Sequence, residues 1–300
     1  MNSVAIFCIY YGQKELPLYS SDCIFPIQAG SAIYGPRAGA LRDDEGENIS
    51  IKNRVWAELT AHYWIWKHYL PFHPKLKYVG FCHYRRFFDF ARPASKYLPH
   101  LGFNRFSKGF SERYSEKRIL SAVGDADIIV PAPSRYSRML KTNLDHYRYG
   151  GHSEKDLRAL IEIIKRDHPD YVEDVEAFLS SRIEHIWLQV LMRRDWMMEF
   201  LTWQFDILMK LEKVSNWPED APFALVRSPA FLAERFLDVW IRHKLRTDGG
   251  DLQERQCLFL VPDEDLRLLP QIKRYANFAI DAVRQFLPAK CQHGENKSSL

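Results

Sequence analysis

An uninterrupted apolar run near the start of the chain constrains the fold more than any other feature. Residues Val4 to Tyr10 are all apolar or aromatic, with no polar side chain in alternate positions. A strand with one face in water alternates apolar and polar residues, whereas a strand covered on both faces does not. The run therefore predicts an α/β fold in which helices flank a central, mostly parallel sheet.

Further strands and helices are predicted along the chain by short apolar runs and by helical spacing of apolar residues. Ser50 is a predicted N-cap and Pro71 a predicted stop for the first long helix. The stretch 92–118 lacks periodicity and predicts a long surface excursion. The predicted strands are 78–82, 126–130 and 186–192, and the predicted helices are 51–69, 154–165, one beginning at Asp195 and one opened by Ser228-Pro229.

The length of 300 residues is typical of one or two domains. We expect one domain over residues 1–250, followed by a helical extension over 251–300 with a disordered tail. Within that extension, an apolar stripe between residues 272 and 286 is accompanied by Lys and Arg, which suits peripheral contact with an anionic membrane. A helix packed against the domain explains the same stripe, so both interpretations stay open.

Charge and cysteine usage exclude several classes of protein. Forty-two Lys and Arg against 38 Asp and Glu leave a net charge of only +4, which argues against a nucleic-acid partner. The five cysteines are scattered and form no C-x-x-C pair, so a reducing, cytoplasmic location is expected. No window of 18 apolar residues occurs, which predicts a soluble or peripheral protein.

A polar and basic segment follows the second apolar run, where that strand is expected to end. His83, Tyr84, Arg85 and Arg86 come directly after Tyr78–Cys82. Open α/β sheets bind ligands beyond the carboxyl ends of their strands, and two guanidinium groups there can bind a diphosphate. A solvated basic turn is the alternative. A surface that stacks nucleic-acid bases is a third, and the balanced charge argues against it.

Asp125 and Asp127 form a D-x-D pattern, which in nucleotide-sugar transferases binds Mg²⁺ or Mn²⁺. Such a pair follows an apolar strand, whereas here Ile128-Ile129-Val130 comes afterwards. We therefore expect both aspartates to lie in a turn at the start of a strand. No metal site is predicted from them.

Other polar residues are candidates for binding or catalysis. Ser50 lies at a helix start that can receive an anion or a hydroxyl, and Glu58 is either a paired core carboxylate or a hydroxyl ligand. His146 and His152 have a spacing that does not suit a zinc pair on a helix. Glu234 is a candidate general base, although an exposed pair with Arg235 is the simpler explanation. The remaining candidates in this binding set are Tyr10, Asn48 and Asn53.

Several of these motifs together resemble a known family. Over about residues 4–245 the chain is similar to bacterial capsular and exopolysaccharide biosynthesis proteins long known as a domain of unknown function, some of which are galactofuranosyltransferases. The motifs that carry the resemblance are Asn48-Ile49-Ser50-x-Lys52-Asn53, Glu58-Leu59-Thr60, Tyr63-Trp64-Ile65-Trp66-Lys67 and Gly80-Phe81-x-His83-Tyr84-Arg85-Arg86-Phe87.

The resemblance implies a GT-A-like fold and an inverting glycosyltransferase. The implied donor is a UDP-sugar, with galactofuranose as a candidate, and the implied acceptor is a lipid-linked capsular, exopolysaccharide or O-antigen glycan at the cytoplasmic membrane face. Because the strand-end D-x-D is missing, we expect Arg85 and Arg86 to stabilise the diphosphate without a required metal, with Mg²⁺ or Mn²⁺ left open. A non-catalytic carbohydrate-binding protein of polysaccharide assembly is the alternative. The site residues carried over by matching motif are Asn48, Ser50, Asn53, Glu58, His83, Arg85, Arg86, Glu234 and Arg235.

Overall fold

The computed structural model of the chain describes residues 3–12, 17–93, 109–133, 140–185 and 187–259. Its strands are β1 (Val4–Tyr11), β2 (Ile24–Ala29), β3 (Leu41–Arg42), β4 (Tyr78–His83), β5 (Arg86–Pro93), β6 (Ile128–Pro131), β7 (Val190–Arg193) and β8 (Leu252–Phe259). The predicted strands at 78–82 and 126–130 correspond to β4 and β6. Of the strand predicted at 186–192, the residues from Val190 onward form β7 and the described residues 187–189 do not.

The helices lie between these strands. They are α1 (Ser31–Tyr34), α2 (Asn53–Trp56), α3 (Leu59–Trp64), α4 (Phe110–Arg113), α5 (Glu116–Val123), α6 (Asn143–Tyr149), α7 (Glu154–Asp167), α8 (Val172–Ser180), α9 (Arg194–Glu212), α10 (Phe223–Val226) and α11 (Ser228–Thr247). Among the described residues, none of these helices has the length and apolar character needed to cross a membrane. The helices predicted at 154–165, near Asp195 and at Ser228 correspond to α7, α9 and α11.

The sheet is mixed, which corrects the prediction of a mostly parallel one. Strands β3, β2, β1 and β4 lie side by side and are parallel. Beyond them, β4 pairs antiparallel with β7, β7 with β6, and β5 with β8, while β6 and β8 are parallel. A two-residue turn joins β4 to β5, and such a short connection permits only an antiparallel pair. The strands β4, β5, β8, β6 and β7 thereby form a closed ring of pairings.

Strand β1 confirms the prediction drawn from its apolar run, because both of its faces are covered. Ala5, Phe7 and Ile9 point into one buried cluster, to which α3, α9 and α11 contribute. The alternate residues from Val4 to Tyr10 point into a second cluster, which includes side chains of α5 and β5. Side chains of a strand alternate between faces, so a strand between two cores has no position for a polar residue.

The helix predicted over 51–69 is a chain of short pieces. It breaks at Ala57, whose φ of 48° is rare for a residue with a side chain. The carbonyl group of Ala57 accepts hydrogen bonds from Asn53 Nδ2 at 2.6 Å and from Thr60 Oγ1 at 3.1 Å, which hold the break in place. Beyond α3 the chain continues as a π-helical turn (Ile65–Tyr69) and a 3₁₀ turn (Leu70–Phe72) that contains Pro71.

The C-terminal extension predicted as helical from residue 251 begins instead with strand β8, which pairs with β5 and β6. The first half of β8 carries the polar residues 253–256, so its residue pattern does not predict a buried strand. The strands that pair with β8 come from distant segments of the chain. The apolar stripe at 272–286 and the predicted tail lie outside the described residues, as does most of the predicted excursion at 92–118.

Candidate functional site

The ends of strands β1 and β4 meet at one edge of the sheet. The two strands are parallel, with Ile9 opposite His83, and the amide of Tyr84 donates to the carbonyl of Ile9 at 3.2 Å. The turn then returns the chain into β5 at Arg86, which pairs with His83. The predicted position of this basic segment, at a strand exit, is confirmed.

Tyrosines form the wall beside this turn. Tyr10 is buried; its hydroxyl donates to the carbonyl of Pro17 and accepts from the amide of Tyr19, both at 3.0 Å. The ring of Tyr84 lies 5.8 Å from that of Tyr10, and the exposed Arg85 guanidinium lies 4.9 Å from the Tyr84 ring. Tyr10 therefore supports the wall from inside and does not present its own hydroxyl to a ligand.

Arg86 is held deeper than Arg85. Its guanidinium lies 4.7 Å from the ring centre of Trp187, a cation–π contact. Burial lowers the pKa of Arg86, and the carboxylates of Glu234 and Glu58 act against that lowering. An arginine is charged at any physiological pH, so Arg86 is a fixed cation on which the charges of two carboxylates act.

His83 is neutral and has a defined proton position. Its Nε2 lies 2.6 Å from the carbonyl oxygen of Trp187, and because a carbonyl only accepts, Nε2 carries the proton. Burial, with a further contribution from Arg86, lowers the pKa of His83 to about 4. Near neutral pH the imidazole therefore leaves Nδ1 unprotonated, as a hydrogen-bond acceptor.

Glu58 directly follows the strained residue Ala57. Burial raises the pKa of Glu58, and the charges of Arg227 and Arg86 limit the rise. Backbone strain of this kind costs about 1–3 kcal/mol and occurs preferentially at functional sites. The charges of Arg227 and Arg86 act on Glu58, but no contact among the described residues decides between a paired core carboxylate and a hydroxyl ligand, so both interpretations stay predictions.

Glu234 approaches the same arginine from α11. Glu234 is half-buried. Burial lowers the pKa of His83 and of Arg86, and the negative charge of Glu234 raises both. Glu234 therefore lies close enough to His83 and Arg86 to act on both, and it does not form an exposed pair with Arg235. The side chain of Arg235 points elsewhere, toward Glu184.

The buried residues Glu184 and Arg235 form a polar cluster with the half-buried His146. His146 Nδ1 lies 2.9 Å from Glu184 Oε2, and Arg235 Nε lies 3.3 Å from Glu184 Oε1. Burial outweighs the charge of Arg235 and raises the pKa of Glu184 to about 8. The same burial, followed by Arg235, lowers the pKa of His146 to about 4.

His152 completes this cluster as a packing residue. Its ring lies 4.1 Å from that of Phe231 and 5.0 Å from that of Tyr147. Burial and the charge of Arg235 lower the pKa of His152 to about 4. The structure thus places both predicted histidines beside Arg235 rather than at the Arg86 guanidinium.

Ser50 has a different role from the predicted helix cap, so that prediction is wrong. Its hydroxyl donates to Asp43 Oδ1 at 2.6 Å and accepts from the amide of Ala32 at 3.0 Å. Asp43 in turn accepts from the amides of Gly30 and Ser31 at 2.7 and 2.9 Å. Ser50 is fully buried and ties the segment after β2 to the start of the broken helix.

Asn48 and Asn53 also bond to the protein itself. Asn48 Nδ2 donates to the carbonyl groups of Asp44 and Gly46, at 3.1 and 2.8 Å. Asn53 is buried beneath Gly30, where an added methyl group would lie 2.6 Å from the Asn53 Cγ. These amides stabilise the loop and the break at Ala57, and through that break they position Glu58.

Trp187 was not predicted as a site residue, although it contacts both His83 and Arg86. Trp187 and Leu188 have φ values of 78° and 48°, an unusual pair for residues with large side chains. This backbone turns the Trp187 carbonyl toward His83 while the ring lies under Arg86. The local sequence contains no Gly or Pro to indicate a turn, so its apolar residues predict a strand.

An ion pair anchors the segment that carries Trp187. The His185 amide donates to Asp238 Oδ2 at 2.7 Å, and His185 Nδ1 lies 2.5 Å from Asp238 Oδ1. On its other side, His185 Nε2 lies 3.6 Å from Glu254 Oε1. Burial disfavours charged His185, but the Asp238 carboxylate outweighs it and raises the pKa of His185 to about 9.

This ion pair predicts how stability depends on pH. The folded-state pKa of His185 lies above its ordinary value of 6.5, so its contribution is full below pH 6.5 and lost as pH rises through 9. Burial raises the pKa of Glu184 from 4.5 to about 8, so its titration also lowers the stability of the fold as the pH rises between these values. We expect the free energy of unfolding to fall from pH 6.5 to 9 in urea titrations.

Asp238→Asn tests the same pair. It is expected to cost about 3 kcal/mol near neutral pH and to flatten the pH dependence, because a buried cation loses its partner. Asp195→Asn, which removes an exposed partner of Arg193, is the matched control. A wild-type stability that is constant or rises over this pH range contradicts the assignment.

The two aspartates of the D-x-D pattern lie away from this edge. Strand β6 begins at Ile128, and Asp127 binds Arg193 at 3.0 Å and the amide of Asp251 at 2.9 Å. This placement agrees with the predicted turn at the start of a strand. Within the described parts of the chain, no group of three or more His, Cys, Asp or Glu side chains could hold a metal ion.

The strand-end cluster therefore combines fixed cations, a neutral histidine and two carboxylates. Guanidinium groups bind phosphate oxygens, and a carboxylate can accept a proton from a hydroxyl group. This set suits a displacement in which an anion leaves and a hydroxyl attacks. Its members are Glu58, His83, Arg85, Arg86, Arg227 and Glu234.

The chain matches the profile of one protein family and is similar to a solved structure. The profile of a family described as "Domain of unknown function (DUF4422)" matches residues 6–245. Among solved structures, the chain is similar to the apo structure of WbbM, a bifunctional glycosyltransferase, with 26% identity and a TM-score of 0.73. The match covers 86% of this chain and 45% of that chain, so this chain spans less than half the length of WbbM. Curated proteins gave no match.

Proposed function

The chain belongs to the DUF4422 family, and from that premise we propose that it is a glycosyltransferase acting on a nucleotide-sugar donor and a glycan acceptor. The observation that carries the proposal is the similarity to a bifunctional glycosyltransferase over most of this chain. The cluster at the ends of β1 and β4 supports it, because α/β sheets bind ligands there. The GT-A-like character of the sheet is part of the proposal.

The donor is a UDP-sugar, with UDP-galactofuranose as the first candidate. Arg86, stacked on Trp187, and the exposed Arg85 bind the diphosphate and stabilise its charge as it leaves. Guanidinium groups can supply in this way the charge that a metal ion supplies in other transferases.

The reaction is a single displacement with inversion. An acceptor hydroxyl attacks the anomeric carbon, the bond from that carbon to the diphosphate oxygen breaks, and both bonding electrons leave with the diphosphate. Glu234 accepts the hydroxyl proton. The neutral His83 accepts a hydrogen bond from a substrate hydroxyl at Nδ1 and adds no charge.

The acceptor is a lipid-linked glycan of a capsule, exopolysaccharide or O-antigen, elongated at the cytoplasmic face of the membrane. The apolar and basic stripe at 272–286 is the proposed membrane contact. Flotation with vesicles of phosphatidylglycerol and phosphatidylethanolamine, with and without residues 270–300, tests this contact.

A donor panel tests the proposed function directly. The protein is incubated with UDP-galactofuranose, UDP-galactopyranose and UDP-glucose and with defined glycans, and products are identified by mass spectrometry and NMR. Glycan binding without any transfer or donor hydrolysis would favour the non-catalytic alternative.

Metal removal is a separate prediction. Arg85 and Arg86 stabilise the leaving group in this proposal. Turnover is therefore expected to stay within about twofold of the untreated rate in 5 to 10 mM EDTA, a concentration about a hundredfold above that of contaminating metal ions. The rate of UDP release is the measurement. Loss of turnover in EDTA that Mn²⁺ restores would show that a metal ion does this work instead.

A further inference from the structure

Two exposed aromatic side chains contact one arginine of the strand-end cluster, Arg227. The Arg227 guanidinium lies 4.7 Å from the ring centre of Phe223 and 5.8 Å from that of Tyr11. Tyr11 ends strand β1 and is 37% exposed, while Phe223 begins α10 and is 62% exposed. The row Tyr11, Arg227 and Phe223, here named the aromatic shelf, runs outward from the strand edge.

Core packing does not account for the aromatic shelf. The ring of Phe223 contacts Phe231 edge-on, with centroids 5.8 Å apart, yet most of its surface faces solvent. A large apolar side chain in water loses the free energy that its burial would release. Leu225, in the same short helix, is also 38% exposed. This segment therefore presents apolar surface outward.

The shelf is connected to the proposed chemistry through Arg227. The positive charge of Arg227 acts on Glu58, which also senses Arg86. The ring of Tyr11 also lies 5.6 Å from that of Tyr84, in the turn before Arg86. A molecule lying on Phe223 and Tyr11 consequently has one end beside this turn. The donor diphosphate, by contrast, is assigned to Arg85 and Arg86 at the turn.

Resting on the proposed function, we propose that the aromatic shelf binds the hexose rings of the acceptor glycan that precede the attacking sugar. A hexose presents an apolar C–H face, which stacks on an aromatic ring, and a rim of hydroxyl groups, which accept hydrogen bonds from a guanidinium. The alternation of ring, guanidinium and ring matches both features of a short oligosaccharide.

Phe223→Ala tests the shelf. The probe is a methyl galactotrioside, in pyranose and furanose forms, titrated by NMR against protein saturated with UDP. We expect the Kd for the preferred trioside to rise about tenfold, since stacking contributes about 1.4 kcal/mol. The Kd for UDP, measured by calorimetry, is expected to stay within about twofold.

Two variants make the result specific. Phe72→Ala removes a phenylalanine of similar exposure, 76%, near the amino ends of the strands, and is expected to leave trioside binding unchanged. Phe223→Trp keeps an aromatic face and is expected to retain binding. Three outcomes overturn the shelf. They are failure of both triosides to bind the wild-type protein, a trioside Kd in Phe223→Ala equal to that of the wild type, or a loss of affinity in Phe72→Ala equal to that in Phe223→Ala.

Other results separate the shelf from the proposed function. If the protein transfers sugar from a UDP-sugar and Phe223→Ala does not change trioside binding, the proposed glycosyltransferase function is supported and the shelf is overturned. Trioside binding lost in Phe223→Ala, in a protein that neither binds UDP nor transfers sugar, keeps the shelf as a glycan site and overturns the transferase. Loss of vesicle flotation with unchanged trioside binding assigns Phe223 to the membrane and overturns the shelf.

Discussion

Glu234→Gln is expected to lower kcat for sugar transfer by about 10²–10⁴-fold, the usual contribution of a positioned general base. Glutamine keeps the size and much of the hydrogen bonding of glutamate but cannot accept the proton of the acceptor hydroxyl. The charge of Glu234 acts on Arg86 and His83, but the substitution changes neither residue and so leaves the proposed diphosphate site in place. Single-turnover rates at saturating donor and the Kd for UDP are the measurements, and the Kd is expected to change little.

Glu58→Gln is the discriminating partner of this experiment. Glu58 is the second carboxylate whose charge acts on Arg86, and burial raises the pKa of Glu58. If Glu58→Gln lowers kcat by the larger factor and Glu234→Gln leaves it near normal, the base is Glu58. Glu219→Gln, at an exposed glutamate paired with Arg54, is the matched control and is expected to have no effect.

Arg86→Lys is expected to lower kcat/KM by about 10²–10³-fold, comparable to the loss of one donor that stabilises the transition state. Lysine keeps the charge, but an ammonium group is a point charge without the planar fork that binds two phosphate oxygens. It also lacks the planar guanidinium group that Arg86 places 4.7 Å from the ring centre of Trp187. Arg85→Lys is expected to act in the same direction, with a smaller effect because Arg85 is exposed.

The control for Arg86→Lys is Arg54→Lys, at an exposed arginine of α2. Initial rates over a range of donor concentrations separate kcat from KM. An Arg86→Lys enzyme whose kcat/KM and affinity for UDP both stay near wild type would reject the assignment of the diphosphate to this arginine.

Local residue patterns predicted the elements nearest to the site. The apolar run at β1 and the basic segment after β4 follow from which side chains water excludes and which it solvates, and both lie where they were expected. Strand β8 and the antiparallel half of the sheet were missed. Their pairing joins segments that are distant along the chain, and a register between distant strands leaves little trace in either one alone.

The candidate site shows the same division. Its charged groups were identified from residue type, but Ser50 and Asn53 are buried supports, and Trp187 was missed. The positive φ values at Ala57, Trp187 and Leu188 cannot be predicted from the residue types, because residues with these side chains disfavour a positive φ. Surrounding hydrogen bonds impose that conformation, and they exist only after folding.

The sequence by itself determined that β1 lies between two cores, that β4 ends in a basic segment and that the D-x-D pattern precedes its strand. Each follows from the burial preferences of neighbouring residues. Only the tertiary structure decided that the charges of Glu58 and Glu234 act on Arg86, that Arg227 acts on Glu58, and that the ring of Trp187 contacts Arg86. Charge pairing and stacking act through space over a few ångströms, so they depend on how distant segments pack.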